Sequence, residues 1–433
     1  MAKKNIGIGL MGLGVIAGQV ARVLSNRAEA LAEQVGCPLV LRKVKVLPQD
    51  LTRPQAKEMA KELFTTDTDE FFAEPEVDIV VEAIGGESPA LEYLTRALSD
   101  GKQAVTANKE VIAKHGTKLA KLAREQGVGL RYEASVGGGI PLISRFQYDL
   151  VANRIGGIYA IINGTTNYIL TQMEREGVDF SSALARAQEL GYAEPNPESD
   201  VKGIDATYKL AILASLAFHT EVKPEDIYHE GISRLSGRDF QYARELGFAI
   251  KLLAIAKGNN REIQVRVHPV FISEDSLLAK VDGVYNAVLV EGDLVDKVLF
   301  FGQGAGPLPT SSAVVADIVA AAQEVRLGVV DRGGWRLETG RTIKPMSEIE
   351  TRYYLRLNIA DRPGVLAQIA KVLGDHQISI SSAIQKLADP VAGTAEIVII
   401  THTAQEKNMQ SALGELGHRP VLKEISSFVR VEA

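Results

Sequence analysis

The first 132 residues alternate short apolar runs with stretches whose apolar positions recur every three to four residues, the pattern of a parallel sheet with helices on its faces. Ile6 to Met11, Leu39 to Leu47, Asp78 to Ile84, Gln103 to Thr106 and Gly129 to Tyr132 predict strands, and Val15 to Leu31, Pro89 to Leu98 and Val111 to Gln126 predict helices. From Glu133 to about residue 330 the pattern is mixed. Strands are expected at Gly157 to Ile162, Ile263 to Phe271 and Val284 to Glu291, and the Ala- and Val-rich stretch 312–325 is expected as a helix returning to the first domain. Gly333, Gly334, Trp335 and the polar residues through Glu350 read as a linker. Beyond it, Tyr353, Leu355, Leu357 and Ile359 alternate with Tyr354, Arg356 and Asn358 as in a half-buried strand. A helix at Val365 to Leu373, strands at Ile378 to Ile384 and Thr394 to Thr401, a helix with Met409, Ala412, Leu413 and Leu416 on one face, and a strand at Ile425 to Val431 complete a βαββαβ unit. The expected architecture is α/β: a doubly wound sheet over 1–132 (completed by 312–325), an α+β domain over 133–330, a linker over 331–350 and a small α/β sandwich over 351–433.

Composition adds boundaries to this picture. A chain of 433 residues exceeds the size at which single cores stop growing. With 46% hydrophobic and 24% charged residues it has the make-up of an ordinary globular protein. A formal net charge of -6 offers no electrostatic footprint for nucleic acid or an anionic membrane. The single cysteine, Cys37, rules out an intramolecular disulfide and any multi-cysteine metal site, and His115, His219 and His229 lack zinc-ligand spacing. Met1 to Lys4 and the apolar residues after them superficially copy a signal peptide, but the glycines from Gly7 to Gly18 make a poor hydrophobic helix. A cytoplasmic protein is expected.

Two segments carry chemistry. Gly12-Leu13-Gly14-Val15-Ile16-Ala17 follows a strand and opens a helix, the context of a dinucleotide fingerprint: Gly12 for the tight turn, Gly14 for close approach of the pyrophosphate to the helix N-terminus. The bland alternative is a tight turn without a ligand. The second strand carries Arg42, Lys43 and Lys45 and ends in Leu47-Pro48-Gln49, with Asp50 late and Arg53 nearby, which favours NADP over NAD. In the second segment, Lys209 is the only basic residue in the run Gly203 to Phe218, one helical turn after Asp205 and downstream of the acidic loop Glu194 to Asp200. Burial of an ammonium is costly unless carboxylates surround it. The pair is either a structural i,i+4 contact or a lysine tuned for proton transfer.

Asp78 to Gly86, Thr106 to Glu110, Tyr132 to Pro141, Gly191 to Pro195 and Phe301 to Gly306, together with the two segments above, closely resemble homoserine dehydrogenases, and Asp361-Arg362-Pro363-Gly364-Val365-Leu366 resembles the start of an ACT regulatory domain. The resemblance spans essentially the whole chain and is to the monofunctional form. It implies a Rossmann domain, a substrate-binding and dimerisation domain and a C-terminal ACT domain. It implies reversible oxidation of L-homoserine to L-aspartate 4-semialdehyde with NADP or NAD, in a homodimer or homotetramer. By position, Lys209 corresponds to the proton donor and acceptor, Lys109 to a second active-site lysine, and Asp205 to the residue orienting Lys209. Glu194 and Asp200 would meet the substrate ammonium group. Gly191, Glu194, Gly304 and Gly306 would lie near coenzyme or substrate, with Arg53 as a phosphate partner. Asn108 and Lys109 could instead merely cap the next helix. Glu133 and the carbonyls of Val136, Gly138 and Ile140 correspond to a sodium or other monovalent-cation site. The Asp361–Gly364 turn would receive an amino-acid effector, L-threonine by resemblance. The competing functions are a different amino-acid semialdehyde or 2-hydroxy-acid dehydrogenase, and a nucleotide- and amino-acid-sensing protein without turnover.

Overall fold

The structure is a computed structural model that describes residues 3–329, 340–389 and 391–432. The chain forms two compact units: residues 1–155, 208–225 and 290–340 in one, 156–207, 226–289 and 341–433 in the other. Gly333, Gly334 and Trp335, read above as linker, lie outside the described residues.

The first unit contains a six-stranded parallel sheet in the order β3-β2-β1-β4-β5-β6, where β1 is Ile6–Met11, β2 Leu39–Lys45, β3 Phe64–Thr65, β4 Ile79–Glu82, β5 Gln103–Thr106 and β6 Leu130–Arg131. Every residue of β1 and β4 is buried, as a parallel sheet covered on both faces requires. On one face Ile6, Ile8 and Leu10 pack with Val20 and Leu24 of the helix Val15–Asn26 and with Val314, Ile318 and Ala321 of the long helix Pro307–Leu327. On the other, Leu94 and Leu98 of the helix Ala90–Ser99 pack with Val111 and Leu119 of the helix Lys109–Gln126. The sheet and its helices differ from the sequence pattern in places. The helix expected over Val15 to Leu31 is broken at Arg27 into Val15–Asn26 and Ala28–Val35, which turns Leu31 and Val35 into the core beside the long helix. The edge strand β3 is two residues long, too short for a period to show.

The second unit is organised by a mixed sheet in which β11 (Tyr285–Gly292), β7 (Ile155–Ile161), β9 (Phe248–Gly258) and β10 (Glu262–Ser273) lie side by side, with β9 and β10 forming a long antiparallel pair. Neither β9 nor β12 (Asp296–Gln303, in the first unit) was signalled by the sequence pattern. The free side of β10 takes three short parallel partners in succession: β13 (Thr342–Ile343), β8 (Tyr228–His229) and the end of β18 (Leu422–Glu432). Through β18 the sheet continues into β14 (Glu350–Ala360), β16 (Thr394–Thr401) and β15 (Ile380–Asp389), with β17 (Ala404–Gln405) on β14. The helices Val365–Asp375 and Glu406–Gly417 bury Ile369, Leu373, Met409 and Leu416 against Leu355, Leu357 and Ile399. The C-terminal βαββαβ layer is therefore sewn into the preceding sheet. Of the stretch read as linker, Thr342–Ile343 is a strand, held because Thr342 and Lys344 donate to the carbonyls of Arg261 and Ile263.

Buried charge fastens this junction. Asp239, on the helix Gly237–Glu245, has no exposed surface and accepts from Arg356 Nε at 2.9 Å and from the Tyr354 hydroxyl at 3.2 Å, while Arg356 also donates to Glu396 at 2.9 Å. Further along, Arg430 donates to Glu406 and Arg266 to Glu432.

Candidate active site

Ligands of open parallel sheets bind beyond the carboxyl ends of the strands, and the first unit gathers its glycines there. Gly12 follows β1, donates its N–H to Lys45 O at 2.8 Å and holds φ +93°. A β-carbon there would stand 3.2 Å from Ala83 O as well as in a left-handed backbone. Gly14 precedes the helix Val15–Asn26 without any side-chain cap, and a β-carbon there would meet nothing within 4 Å. The helix start is thus uncapped and open beside Gly14, the setting a pyrophosphate needs. Leu13 is buried beneath the turn, Ile16 packs against the core and Val15 is exposed.

The turns after β4 and β5 are tied together by one polar chain. Glu82, fully buried at the end of β4, accepts the N–H of Ile84 at 2.7 Å and the hydroxyl of Thr106. Thr106 accepts the N–H of Asn108 at 2.9 Å, and Asn108 donates to Gly86 O at 2.7 Å while capping Val111 N at 3.1 Å. Asn108 is thus a helix cap, and Lys109 becomes the first residue of the helix Lys109–Gln126. Lys114 of that helix lies over the ring of Tyr208, 5.7 Å from its centre, which brings the helix beside the Tyr208–Lys209 turn.

The basic residues near β2 mostly serve the fold. Arg42 pairs with Glu76 at 3.1 Å, Lys43 with Glu70 at 2.6 Å, and Arg53 with the buried Asp50 at 2.7 Å. Arg53 is the most exposed of the three, with a side chain 44% exposed.

Around the expected cation site, the carboxylate of Glu133 accepts the N–H groups of Leu142 (2.6 Å), Ile143 (2.8 Å) and Ser144 (2.8 Å). Those bonds hold the carboxylate as a backbone cap and use three of its acceptor positions. Asp317 accepts from Glu133 N at 2.8 Å, and burial, then the neighbouring Glu133, pushes its carboxyl up to about 7. In the Val136–Ile140 turn, Gly138 is pressed onto Gly304: an added β-carbon would lie 2.6 Å from its carbonyl carbon and oxygen. Gly304 and Gly306 therefore lie in the loop backing this turn.

In the second unit Asn163, just past β7, donates its amide to Asp200 at 2.7 Å and Asp205 at 2.9 Å. Gly191 and Glu194 lie in an exposed loop, shaped where Gln188 donates to Glu194 O at 3.1 Å. Asp205 opens the helix Ile204–Phe218 at 3% exposure, and Lys209, one turn on in the same helix and counted with the first unit, is 8% exposed in a helix buried almost throughout.

Comparison with known proteins fits this geometry. Residues 12–133 match the family model described as the NAD binding domain of homoserine dehydrogenase, 141–319 match homoserine dehydrogenase, and 353–418 match the ACT domain. The homoserine dehydrogenase of Neisseria gonorrhoeae is 42% identical over 438 residues, covering 99% of both chains. The chain belongs to the homoserine dehydrogenase family. The crystal structure of a homoserine dehydrogenase from Thiobacillus denitrificans superposes with a TM-score of 0.92 at 40% identity, covering 99% of this chain and 98% of that one. A hyperthermophilic archaeal homoserine dehydrogenase in complex with NADPH superposes at 0.63 and 26% identity, over 74% of this chain and 98% of its own.

As a homoserine dehydrogenase the chain is an oxidoreductase that uses a nicotinamide coenzyme, and the open, glycine-lined strand ends fit one. No helix among the described residues is long and apolar enough to cross a membrane. Within this family frame, sequence reasoning missed Glu82, Thr106, Asp317 and Asn163. Only Asn163 left a local signal: Asn163-Gly164-Thr165-Thr166 after an apolar run is a helix start.

Proposed function

We propose that Lys209 moves the proton in the oxidation of L-homoserine to L-aspartate 4-semialdehyde and that Asp205 holds it in place. The observation that carries this reading is a lysine 8% exposed in an apolar helix, one turn after an aspartate 3% exposed. An ammonium there stabilises negative charge developing on the aldehyde oxygen and supplies its proton in reduction; the neutral amine receives it in oxidation. The nicotinamide, when bound, accepts or returns the hydride. Lys109, at the start of its helix, adds a second positive charge on the coenzyme side. Asp200 and Glu194 receive the substrate ammonium group, and Gly191, Gly304 and Gly306 let backbone approach substrate and coenzyme. The fingerprint residues Gly12 to Ile16 hold the pyrophosphate. Lys209→Ala should lower turnover by about 100-fold or more with coenzyme affinity kept; wild-type turnover would return Lys209 to a structural role.

The finer assignments belong to the same reading. NADP is the preferred coenzyme, with Arg53 as its phosphate partner, since no acidic residue closes β2 and Asp50 is engaged by Arg53. A sodium ion at the Val136–Ile140 turn would take carbonyl oxygens of Val136, Gly138 and Ile140 together with Glu133, three of whose carboxylate acceptor positions are held by N–H groups. The domains run 1–132, 133–330 and 351–433, and the protein works in the cytoplasm as a homodimer or homotetramer. L-Threonine binds at the turn that ends β14, where Asp361 donates its N–H to Gly393 O and Gly364 precedes the helix Val365–Asp375. Titrating threonine into the full chain should inhibit turnover, and Asp361→Ala should weaken the response. An enzyme indifferent to threonine across its soluble range refutes the effector assignment.

A further inference from the structure

Asp200 and Asp205 reach the same nitrogen from different elements. The Asn163 amide nitrogen donates to Asp200 Oδ1 at 2.7 Å and to Asp205 Oδ2 at 2.9 Å, and Asn163 is 5% exposed. The orientation of that amide is chemically forced. Its oxygen accepts the backbone N–H of Thr166 at 2.8 Å and the Thr166 hydroxyl at 2.9 Å, and an NH2 group cannot accept from an N–H. Both hydrogens therefore point at the carboxylates. Two like charges held this close repel, and the group that steadies both without adding a charge is a neutral double donor. A lysine or arginine there would compete with the substrate's own ammonium group.

We propose that Asn163 is a positioning residue for the reaction, a clamp that fixes the substrate-side carboxylate Asp200 and the lysine-orienting carboxylate Asp205 in one constellation. The clamp rests on the roles given to those two aspartates above. Its anchor is the helix Gly164–Glu176: because the amide oxygen caps that helix, the two donors cannot swing away without uncapping it. The element order supports the same role. Asn163 follows β7, Asp200 lies on the turn Glu198–Val201 and Asp205 opens the helix Ile204–Phe218, so one side chain registers three elements.

Serine and glycine both serve at helix N-caps, glycine at little cost relative to asparagine, so they separate the clamp from the cap. Asn163→Ser keeps the cap and at most one donor; Asn163→Gly leaves no donor. Hydrogen bonds to charged groups are each worth about tenfold or more. We therefore expect kcat/KM for homoserine to fall roughly tenfold in the serine variant and about 100-fold in the glycine variant, with a raised homoserine KM. Coenzyme affinity should stay close to wild type in both, and the unfolding midpoint should fall no more than the loss of the amide donors to the two carboxylates accounts for, less in the serine variant than in the glycine variant. Wild-type kinetics in the glycine variant would overturn the clamp, as would equal losses in both variants that follow a drop in unfolding midpoint. Asp205→Asn is assayed in parallel. If it keeps full turnover, the role of Asp205 fails; if it loses turnover while Asn163→Gly does not, the clamp alone fails.

Discussion

The coenzyme end of the first unit is drawn in backbone, and the carboxylate end of the second in side chains. At Gly12, Gly14, Gly138 and Gly304 the functional surface is peptide, shaped by what is missing at the α-carbon. At Asn163, Asp200 and Asp205 it consists of polar groups brought together from three elements, with Asn163 and Asp205 buried and Asp200 partly exposed. The same contrast reaches into stability: the sheet of the first unit is closed by aliphatic faces, whereas the second unit is fastened at Asp239, Arg356 and Arg430 by buried charge. A backbone site tolerates change in its neighbours' identities but not in its own volume. A site made of buried charges fails when any one partner is removed, because the others remain uncompensated.

The strongest way to break this comparison is at Asp239. Asp239→Ala removes one of the two carboxylates paired with the buried Arg356, leaving Glu396 as the other, and should destabilise the chain by about 3 kcal/mol, whereas Asp239→Leu combined with Arg356→Met should recover much of the loss. Denaturant unfolding of the two variants checks it, and equal losses would mean that packing matters there more than charge. Asp205→Ala comes next, with turnover expected to fall about 100-fold and a double variant with Lys209→Ala far less impaired than the product of the singles. Multiplicative effects in steady-state assays would show two independent roles. On the backbone side, Gly14→Ala should weaken coenzyme binding about tenfold, within the range for one lost contact to a charged group, with little change in unfolding midpoint. Gly12→Ala should lower both, because its φ of +93° penalises any side chain. Fluorescence titration and thermal melts separate the two.

The smallest effect is a dependence on pH. His268 on β10 has no exposed surface, and burial, then the charges of Arg430 and Arg266, hold its imidazole well below its ordinary value of 6.5. The folded chain keeps it neutral while the unfolded chain protonates it, so its contribution is full above pH 6.5 and is lost as pH falls, by up to about 1.4 kcal/mol per pH unit. His268→Gln should flatten the unfolding midpoint between pH 7 and 5.5; an unchanged slope would assign the acid sensitivity elsewhere.

The coenzyme half was legible in the sequence because its determinants are local. Gly12 and Gly14 stand next to the strand and helix that they join, and β5 lies where its apolar run predicts it, Gln103 to Thr106. Four kinds of feature were not legible. β9 is buried along most of its length, so Ala249 to Ala256 shows no alternation to separate strand from helix. The break at Arg27 carries no glycine or proline. The partners of Glu133 become apparent only when its carboxylate is seen to cap Leu142 to Ser144. The linker reading failed at Thr342–Ile343 because pairing with Glu262 and Ile263 has no signature in either segment alone. Asn163 lies between these cases: its helix-start pattern was present, but its second task depends on aspartates 37 and 42 residues away.

The rung between Val270 to Ile272 and Arg430 to Glu432 bears on how this architecture can be inherited. A module joined by a tether can be lost, gained or exchanged between genes with little consequence for its host. Here the final strand supplies hydrogen bonds to β10, and β10 also holds β8, whose continuation bonds back at Ile232 N to Val201 O, three residues before the helix of Asp205 begins. Cutting the gene ahead of the ACT segment would leave β10 bare at Val270 to Ile272 and the charges of Asp239 and Arg266 without their ionic partners. Recombination at that boundary would therefore be selected against unless the incoming piece brought a matching strand and matching acids. In this chain the ACT layer and the sheet that it joins through β10 are therefore expected to lose amide protection together.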